Sequence, residues 1–412
     1  MGNIRNCRLC KGSDLISVVN LGNMNLSGHF PTTEESGFVG SGHLNLLWCR
    51  ECNLVQLDNS IDASLMYGDN YGYRSGLNPS MVSHLESKVK YLLNSFFEGC
   101  DRSKSVLDIG SNDGTLLSFY PSRFKRVGVD PTIKKFGSYY KTGIQKVEDF
   151  FSSSVINSLN VDVAKFDIIT CIAMFYDLED PISFAKDIKS CLKPNGIWHF
   201  EQSYLPCMLR TNSYDTVCHE HIEYYSLTTV TEILKRSGLK VIDVSINSVN
   251  GGSFAVTATH EDSDKKISPV VAWMIRQEIS LDLSKPKIYR NFEYNAYKHA
   301  ADLKDLILAL RSDNKRIAGY GASTKGNVIL QFAKLTKKEL FAIADVNPLK
   351  HGCVTPGTNI PILSEGEVFK QSPDYLLVLP WHFRDYIIRK ENKFLASGGK
   401  IIFPLPYIEI VG

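Results

Sequence analysis

Ser105-Val106-Leu107-Asp108-Ile109-Gly110-Ser111-Asn112-Asp113-Gly114 is the stretch on which the reading of the fold depends. A short apolar strand runs into a glycine turn, and Thr115-Leu116-Leu117 is expected to open a helix. Glycines let backbone approach a ligand closely, and a helix start offers free N–H groups. Downstream, Arg126-Val127-Gly128-Val129-Asp130-Pro131 reads as a second strand ending in an acid. Asp130 stands about 20 residues beyond Gly110, the spacing at which a carboxylate accepts ribose hydroxyls. Working outward, Phe166–Ile172 reads as a buried strand, Pro181–Leu192 as its helix and Gly196–Glu201 as a further strand. Strands alternating with helices imply a doubly wound parallel α/β sheet that binds ligands at the C-terminal ends of its strands.

The turn reads GSNDG and lacks the G-x-G-x-x-G fingerprint that cradles a dinucleotide pyrophosphate. That disfavours a nicotinamide cofactor and favours S-adenosylmethionine, which has no pyrophosphate. Gly110, Asn112, Asp113, Gly114 and Asp130 are then the candidate cofactor contacts, with Asp149 and Phe150 flanking an adenine and Cys171 and Ala173 at the next strand end.

On the N-terminal side, Cys7-Arg8-Leu9-Cys10 and Cys49-Arg50-Glu51-Cys52 are two CxxC pairs. Each presents two thiolates to one ion, and two such pairs complete a closed four-cysteine Zn2+ site that is structural, with no open position for catalysis. A segment this short has little core, which a metal supplements. Residues 1–70 are expected to form this zinc-binding domain, residues 71–265 the cofactor domain and residues 266–412 a C-terminal one. The stretch Tyr67–Gly76, with Tyr71, Tyr73 and Arg74, has the glycine and tyrosine content of an irregular, ligand-facing loop.

On the C-terminal side, a helical stretch over Ile267–Ser312 is broken near Pro286, and Lys315–Ala322 is again strand then glycine turn. Ser323, Lys325 and Asn327 come next at the expected helix start, where hydroxyls and a lysine suit a phosphate. Strands over Phe341–Asp345 and Tyr375–Pro380 complete a second Rossmann-like α/β sheet that echoes the middle one.

Composition narrows the partners. Lys+Arg number 46 against 44 Asp+Glu, so no global basic bias points to nucleic acid or an anionic membrane. No apolar run approaches the roughly 20 residues of a membrane span. The opening MGNIRNCRLCKG lacks the apolar stretch of a signal peptide, and ten cysteines suit a reducing, cytoplasmic setting. The densest titratable cluster is Tyr214–Tyr225, YDTVCHEHIEYY, where histidine, glutamate and tyrosine types suited to moving a proton lie together. His219 and His221 share a face if this segment is a strand and diverge if it is a helix, so both remain open to a substrate.

Taken in order, DIGSNDG, the acid of GVDP, FYDLEDP, EQSYLP, YDTVCHEHIEYYSL and NGGSF resemble the S-adenosylmethionine-dependent nucleotide-sugar 3-C-methyltransferases of branched deoxysugar biosynthesis. The resemblance extends to the four-cysteine N-terminus and to GYGASTKGN, DVNPLKHG and TPGT near the C-terminus. It implies a class I methyltransferase sheet in the middle, S-adenosyl-L-methionine as cofactor, and a dTDP- or GDP-linked 4-keto-6-deoxy hexose as substrate, in a monomer or dimer. It also implies His221 as general base at C3, with Glu220 beside it. Some family members carry Tyr immediately before the HEH triplet, where this chain has Cys218. Tyr224, Tyr225, Tyr73 and Tyr176 are the candidates for that role. Ser323, Lys325 and Asn327, with Tyr71 and Arg74, are expected to bind the sugar nucleotide. The competing readings are an O- or N-methyltransferase on a related sugar nucleotide and a non-enzymatic zinc-module binding protein.

Overall fold

The computed structural model describes residues 4–35, 37, 39–62, 66, 72–97, 103–158 and 165–412. Tyr71, an expected substrate contact, lies outside the described residues. Three sheets organise the chain.

The middle sheet contains β4 (Ser105–Ile109), β5 (Lys125–Val129), β6 (Ile144–Val147), β7 (Phe166–Ile172), β8 (Leu192–Ser203), β10 (Leu239–Asn247) and β11 (Ser253–His260). Their order is β10-β11-β8-β7-β4-β5-β6, with β4 through β8 parallel and β11 inserted antiparallel beside β8. Strand β7 reads FDIITCI and is buried almost throughout, as a strand covered on both faces requires.

The helices that frame the sites are α1 (Pro79–Phe96), α2 (Pro181–Cys191), α3 (Leu227–Arg236), α4 (Pro269–Ser280), α5 (Pro286–Ser312) and α6 (Thr324–Phe332). Pro181 and Pro286 open their helices, where a missing N–H costs nothing. The expected break near Pro286 is thus the start of α5.

One expectation fails at the first glycine turn: no helix comes after Gly114, only a short 3-10 turn over Leu117–Phe119. The Asp113 carboxylate accepts from both the Thr115 amide and its hydroxyl, and Pro121 stops the segment four residues after Leu117.

The C-terminal sheet runs β14 (Ile362–Ser364), β13 (Ile343–Asp345), β12 (Ile317–Tyr320), β15 (Tyr375–Val378), β16 (Lys400–Phe403) and β17 (Glu409–Val411), parallel except for the last. The N-terminal sheet contains β1 (Leu15–Asn25), β2 (Ser41–Cys49) and β3 (Val55–Leu57), and its fourth strand is β9 (Glu223–Tyr224), from inside the HEH segment.

Packing crosses the boundaries drawn from sequence. Helix α4 begins after the expected cut at 265/266, yet Val271 and Met274 pack into the core of the middle sheet. The buried Glu278 of α4 accepts from Tyr204 Oη at 2.7 Å, the Leu227 amide at 2.5 Å and Thr228 Oγ1 at 2.6 Å. Helix α5 joins β1, β2 and the C-terminal sheet in one apolar cluster, and the rings of Trp48 and Tyr289 lie 4.9 Å apart within it. The small N-terminal sheet therefore does not stand on its own core. No helix among the described residues is long and apolar enough to cross a membrane.

Candidate active site and metal centre

The four cysteines come together. Their sulfurs all lie within 4.8 Å of one another, with Cys7 to Cys52 and Cys10 to Cys49 at 3.5 Å. A tetrahedral ion with Zn–S bonds of about 2.3 Å holds its sulfurs roughly 3.8 Å apart, so the quartet fits zinc. The two knuckles are built alike. Lys11 and Asn53, each directly after the second cysteine of a pair, are left-handed at φ 64° and 63° and donate back to the carbonyls of Cys7 and Cys49.

At the first glycine turn, Gly110, Asn112 and Gly114 all have positive φ, and Ala173 adopts φ 54° at the end of the neighbouring β7. Asp130 closes β5: one carboxylate oxygen accepts from the Asn112 amide at 2.8 Å, the other from the amide and hydroxyl of Thr132. Its remaining lone pairs suit ribose hydroxyls. Asp149 and the half-exposed Phe150 stand just past the end of β6, at the same edge of the sheet. Cys171 is fully buried and its thiol points at Met174 Sδ, 3.5 Å away. Met174 closes on Gly110 from above, so it joins the candidate cofactor wall, and nothing in its sequence context marks it out. This glycine turn, its acid and the exposed aromatic fit an adenosyl cofactor.

Other expected cofactor contacts have structural duties. The Asn112 side chain accepts from the Ser75 amide at 2.9 Å and donates to the Tyr73 carbonyl at 3.2 Å, while Asp113 accepts from the Gly76 amide at 2.9 Å. These bonds lash residues 73–76 over the turn. Arg74 stacks on Tyr139, 3.9 Å from the ring centroid, so it lies on the candidate cofactor side and not against the C-terminal sheet. Tyr73 is 47% exposed at this rim.

The HEH segment sits where the three sheets meet. Strand β9 pairs with β3, the Leu57 amide donates to the Ile222 carbonyl at 2.9 Å, and the Ile222 amide donates to the Tyr176 carbonyl at 3.1 Å. This splits the two histidines left open by the sequence. His219 is buried against the N-terminal sheet, its Nε2 at 3.1 Å from the Gly42 carbonyl. His221 faces the other way, its ring centroid 4.2 Å from that of Tyr176. His221 Nδ1 donates to the Thr216 carbonyl at 3.0 Å, which fixes the tautomer and leaves Nε2 as a proton acceptor. Burial first, and the Lys325 charge second, depress the His221 pKa to about 3, so the imidazole is neutral.

Tyr224 donates its hydroxyl to the same Thr216 carbonyl at 3.2 Å, so it braces the His221 anchor. Of the tyrosines expected to stand in for Cys218, Tyr176 is the one in ring contact with His221. Cys218 itself is fully buried, and burial raises its thiol pKa far above the usual range, which makes it inert. Tyr225 donates to Glu223, turned away from His221. Glu220 lies against Gly28, and a side chain there would collide with its carboxylate. Burial raises the Glu220 pKa.

The expected phosphate cradle does not converge on one point. Ser323 Oγ caps α6 by accepting from the Gly326 amide at 3.0 Å. The Asn327 side-chain amide donates to the Ser27 carbonyl at 2.7 Å, in the N-terminal part. Lys325 turns to the NGGSF segment and donates to the Asn250 carbonyl at 2.6 Å. Sequence reasoning also missed Trp381, whose indole donates to the fully buried Asp215 at 2.8 Å. The Trp-His pair just beyond β15 is a signal that could have drawn attention to it.

Comparison with known proteins matches three family models along the chain. Family models match over residues 7–67, described as zinc binding, over 81–244, a methyltransferase domain, and over 248–406, a C-methyltransferase C-terminal domain. The C-methyltransferase NovU of Streptomyces niveus is 30% identical over 410 residues, 99% of this chain and 97% of that protein. The tRNA U34 carboxymethyltransferase of Campylobacter jejuni subsp. jejuni serotype O:2 is 32% identical over 134 residues, 29% of this chain and 42% of its own length. The N-methyltransferase NodS of Bradyrhizobium japonicum aligns at 16% identity and a TM-score of 0.33, over 45% of this chain and 99% of that one. With the NovU match running through all three sheets, this chain belongs to the S-adenosylmethionine-dependent C-methyltransferases, with a zinc-binding N-terminal part.

Proposed function

We propose that the enzyme methylates carbon 3 of a nucleoside-diphosphate 4-keto-6-deoxy sugar, with His221 as the base. The observation that carries this reading is the state of His221: neutral, tautomer fixed by Thr216, Nε2 left as acceptor, and in contact with Tyr176 where three sheets meet. A hydroxyl or amine acceptor needs no proton taken from carbon, whereas a carbon next to a ketone does. In the proposed step the C3–H bond breaks, the proton passes to Nε2, and the electron pair enters the C3–C4 enolate. S-adenosylmethionine, when bound, supplies an electrophilic methyl that the enolate carbon takes, leaving the S–CH3 electron pair on sulfur. Tyr224 and Thr216 hold the imidazole in plane, Tyr176 packs its face, and residues 73–76 shield the cofactor turn from water. The zinc-bearing sheet supports the loop through β9.

The test is incubation with labelled S-adenosylmethionine and a panel of dTDP- and GDP-linked 4-keto-6-deoxy hexoses, with mass analysis of the products. One member should gain a methyl on carbon 3, and the wild-type enzyme should exchange the C3 hydrogen with solvent deuterium. His221→Asn should abolish both and leave cofactor binding intact. Exchange that survives in His221→Asn would move the base elsewhere, and a methyl found on oxygen or nitrogen would overturn the reaction type.

A further inference from the structure

Behind His221 lies a second cluster of buried polar groups that the proposed proton transfer does not use. It is assembled from four separate stretches of chain. Asp215 sits in the 3-10 turn over Tyr214–Thr216, one residue before the carbonyl that anchors His221. Trp381 and His382 lie just beyond β15. Asn250 belongs to the NGGSF turn, and a side chain on Gly251 would strike the Trp381 ring. Lys325 projects from the first turn of α6, which packs against the Tyr214–Thr216 turn.

The hydrogen bonding of this cluster is incomplete in a patterned way. Asp215 is fully buried; its Oδ2 accepts from the Trp381 indole at 2.8 Å, and its Oδ1 has no partner among the described residues. His382 Nδ1 is likewise buried without a partner among them. Lys325 has three protons to donate, and its ammonium reaches the Asn250 carbonyl at 2.6 Å. Buried polar atoms are nearly always paired, so a buried cluster that leaves two of them unpartnered beside a lysine is shaped to receive a polar group. Lys325 acts electrically on both imidazoles: after burial, its charge is the next cause that lowers the pKa of His221 and of His382, each to about 3. Burial pulls the Lys325 pKa down, and Asp215 is the first group that pushes it back up.

A chemical difficulty in the proposed reaction gives this cluster a task. An imidazole of such weak proton affinity removes a hydrogen next to a ketone only where the enolate is stabilised in the same site. Preorganised donors aimed at a developing oxyanion supply that stabilisation in a water-excluded pocket. Cys218, directly before the HEH triplet, offers no phenol.

We propose that Lys325 is the electrophilic group of the reaction: its ammonium, held by Asn250 and countered by Asp215, receives the C4 enolate oxygen formed when His221 takes the C3 proton. Lys325 keeps its own proton throughout, and its charge balances the oxyanion until the C3–CH3 bond forms and the C4 ketone is restored. The inference rests on the enolate reading of the reaction. It also parts from a phosphate role for Lys325: a phosphate contact acts on binding, an electrophile on the rate.

The experiment measures solvent-deuterium exchange at C3 and methyl transfer with the full-length enzyme and the sugar nucleotide identified by the panel. It compares wild type, Lys325→Met and Lys325→Arg, with zinc content and S-adenosylmethionine affinity as controls for folding. Lys325→Met is expected to lower kcat for exchange by about 100- to 1,000-fold, as loss of one oxyanion donor does, with KM for the sugar nucleotide within a few-fold of wild type. Lys325→Arg should recover part of that rate, since the cation is retained. Asp215→Asn, which keeps the Trp381 contact but removes the counter-charge, should lower exchange less than Lys325→Met. A large rise in KM with kcat preserved would overturn the proposal in favour of a phosphate contact. Normal exchange in Lys325→Met would overturn it outright while leaving the enolate reading standing. Wild-type enzyme that methylates the sugar when cofactor is supplied, yet shows no C3 exchange when cofactor is withheld, would bring down both.

Discussion

At Gly110–Gly114 and again at Gly321–Gly326, a buried parallel strand ends in a turn tied to an aspartate that closes the next strand. Asn112 donates its amide to Asp130 at 2.8 Å, and Ala322 donates its amide to Asp345 at 2.7 Å. Each aspartate turns its other oxygen to the amide two residues on, Thr132 at 2.6 Å and Asn347 at 2.7 Å. The correspondence gives the suspected internal echo a physical form. Beyond the turns the two regions diverge. The first leads into a 3-10 turn and keeps an exposed rim at Phe150 and Tyr73. The second leads into the capped helix α6, whose Ser323, Lys325 and Asn327 are each bonded to a different neighbour. One scaffold thus serves as a candidate cofactor seat where its side chains fasten a covering loop, and as a joint between sheets where Lys325 and Asn327 reach outward.

The largest effect should come from the glycines. Gly114 and Gly321 have φ of 74° and 84°, and an added Cβ would lie 2.8 Å from Tyr140 in the first case and 2.6 Å from Pro380 in the second. Gly114→Ala is expected to reduce S-adenosylmethionine affinity at least 100-fold, measured by calorimetry. Gly321→Ala should leave that affinity unchanged and lower stability by about 2–3 kcal/mol. If Gly321→Ala also lost cofactor binding, the contrast between seat and joint would collapse.

Next comes the metal. The zinc quartet is joined to the HEH loop through β3 and β9, and Arg8, inside the first knuckle, donates to the carbonyls of Leu57 and Asn59 at 2.6 and 2.9 Å. Cys49→Ser, or chelation of the wild-type enzyme, should abolish methyl transfer and raise hydrogen exchange across residues 217–225. Cofactor affinity should stay within about three-fold, because the first glycine turn makes its bonds within the middle sheet and to residues 73–76. Loss of cofactor binding on zinc removal would show that the seat depends on the metal.

The aspartates offer a finer comparison. Asp130→Asn should weaken cofactor binding roughly ten-fold, since a charged acceptor is worth more to hydroxyls than a neutral one. Asp345→Asn should cost about 1 kcal/mol of stability and no cofactor affinity. Equal losses of affinity would mean that both turns bind the same ligand.

Local pattern carried much of this architecture. Strands β4 and β7 and the start of α5 were legible because apolar runs, glycine and proline act within a few residues. The zinc quartet was legible because its two pairs repeat one spacing. The missing helix after Gly114 was not, because it depends on the Asp113 carboxylate bonding locally together with the stop at Pro121. Nor was β9, a strand of two residues whose partner lies about 170 positions earlier. His219 and His221 are alike in sequence, and only that pairing sends one to Gly42 and the other to Tyr176. The Asp215–Trp381 bond spans 166 positions, and no periodicity encodes such a contact.

The subtlest comparison is one of pH, because its sign should differ between the two turns. His382 lies in the segment after β15, whose Pro380 closes on Gly321, and burial holds its pKa at about 3. The unfolded chain binds that proton near pH 6.5, so the stability it contributes is complete above 6.5 and is lost as pH falls towards 3. At pH 5 the loss is about 2 kcal/mol. Asp108 lies beneath the first turn, accepting from the Thr170 hydroxyl at 2.6 Å, with its pKa raised to about 7 by burial. Its contribution has the opposite sense: it is complete below the usual carboxylate value of about 4 and is lost as pH rises through 7. Hydrogen exchange corrected for intrinsic rates should therefore show residues 321–326 and 380–383 less protected at pH 5 than at pH 7.5, and residues 106–114 more protected. His382→Asn should remove the acid sensitivity of the second turn, and Asp108→Asn should remove the alkaline sensitivity of the first. Parallel changes at both turns would mean that the two sheets open as one unit, and that the shared apolar packing around α5 outweighs the local charges.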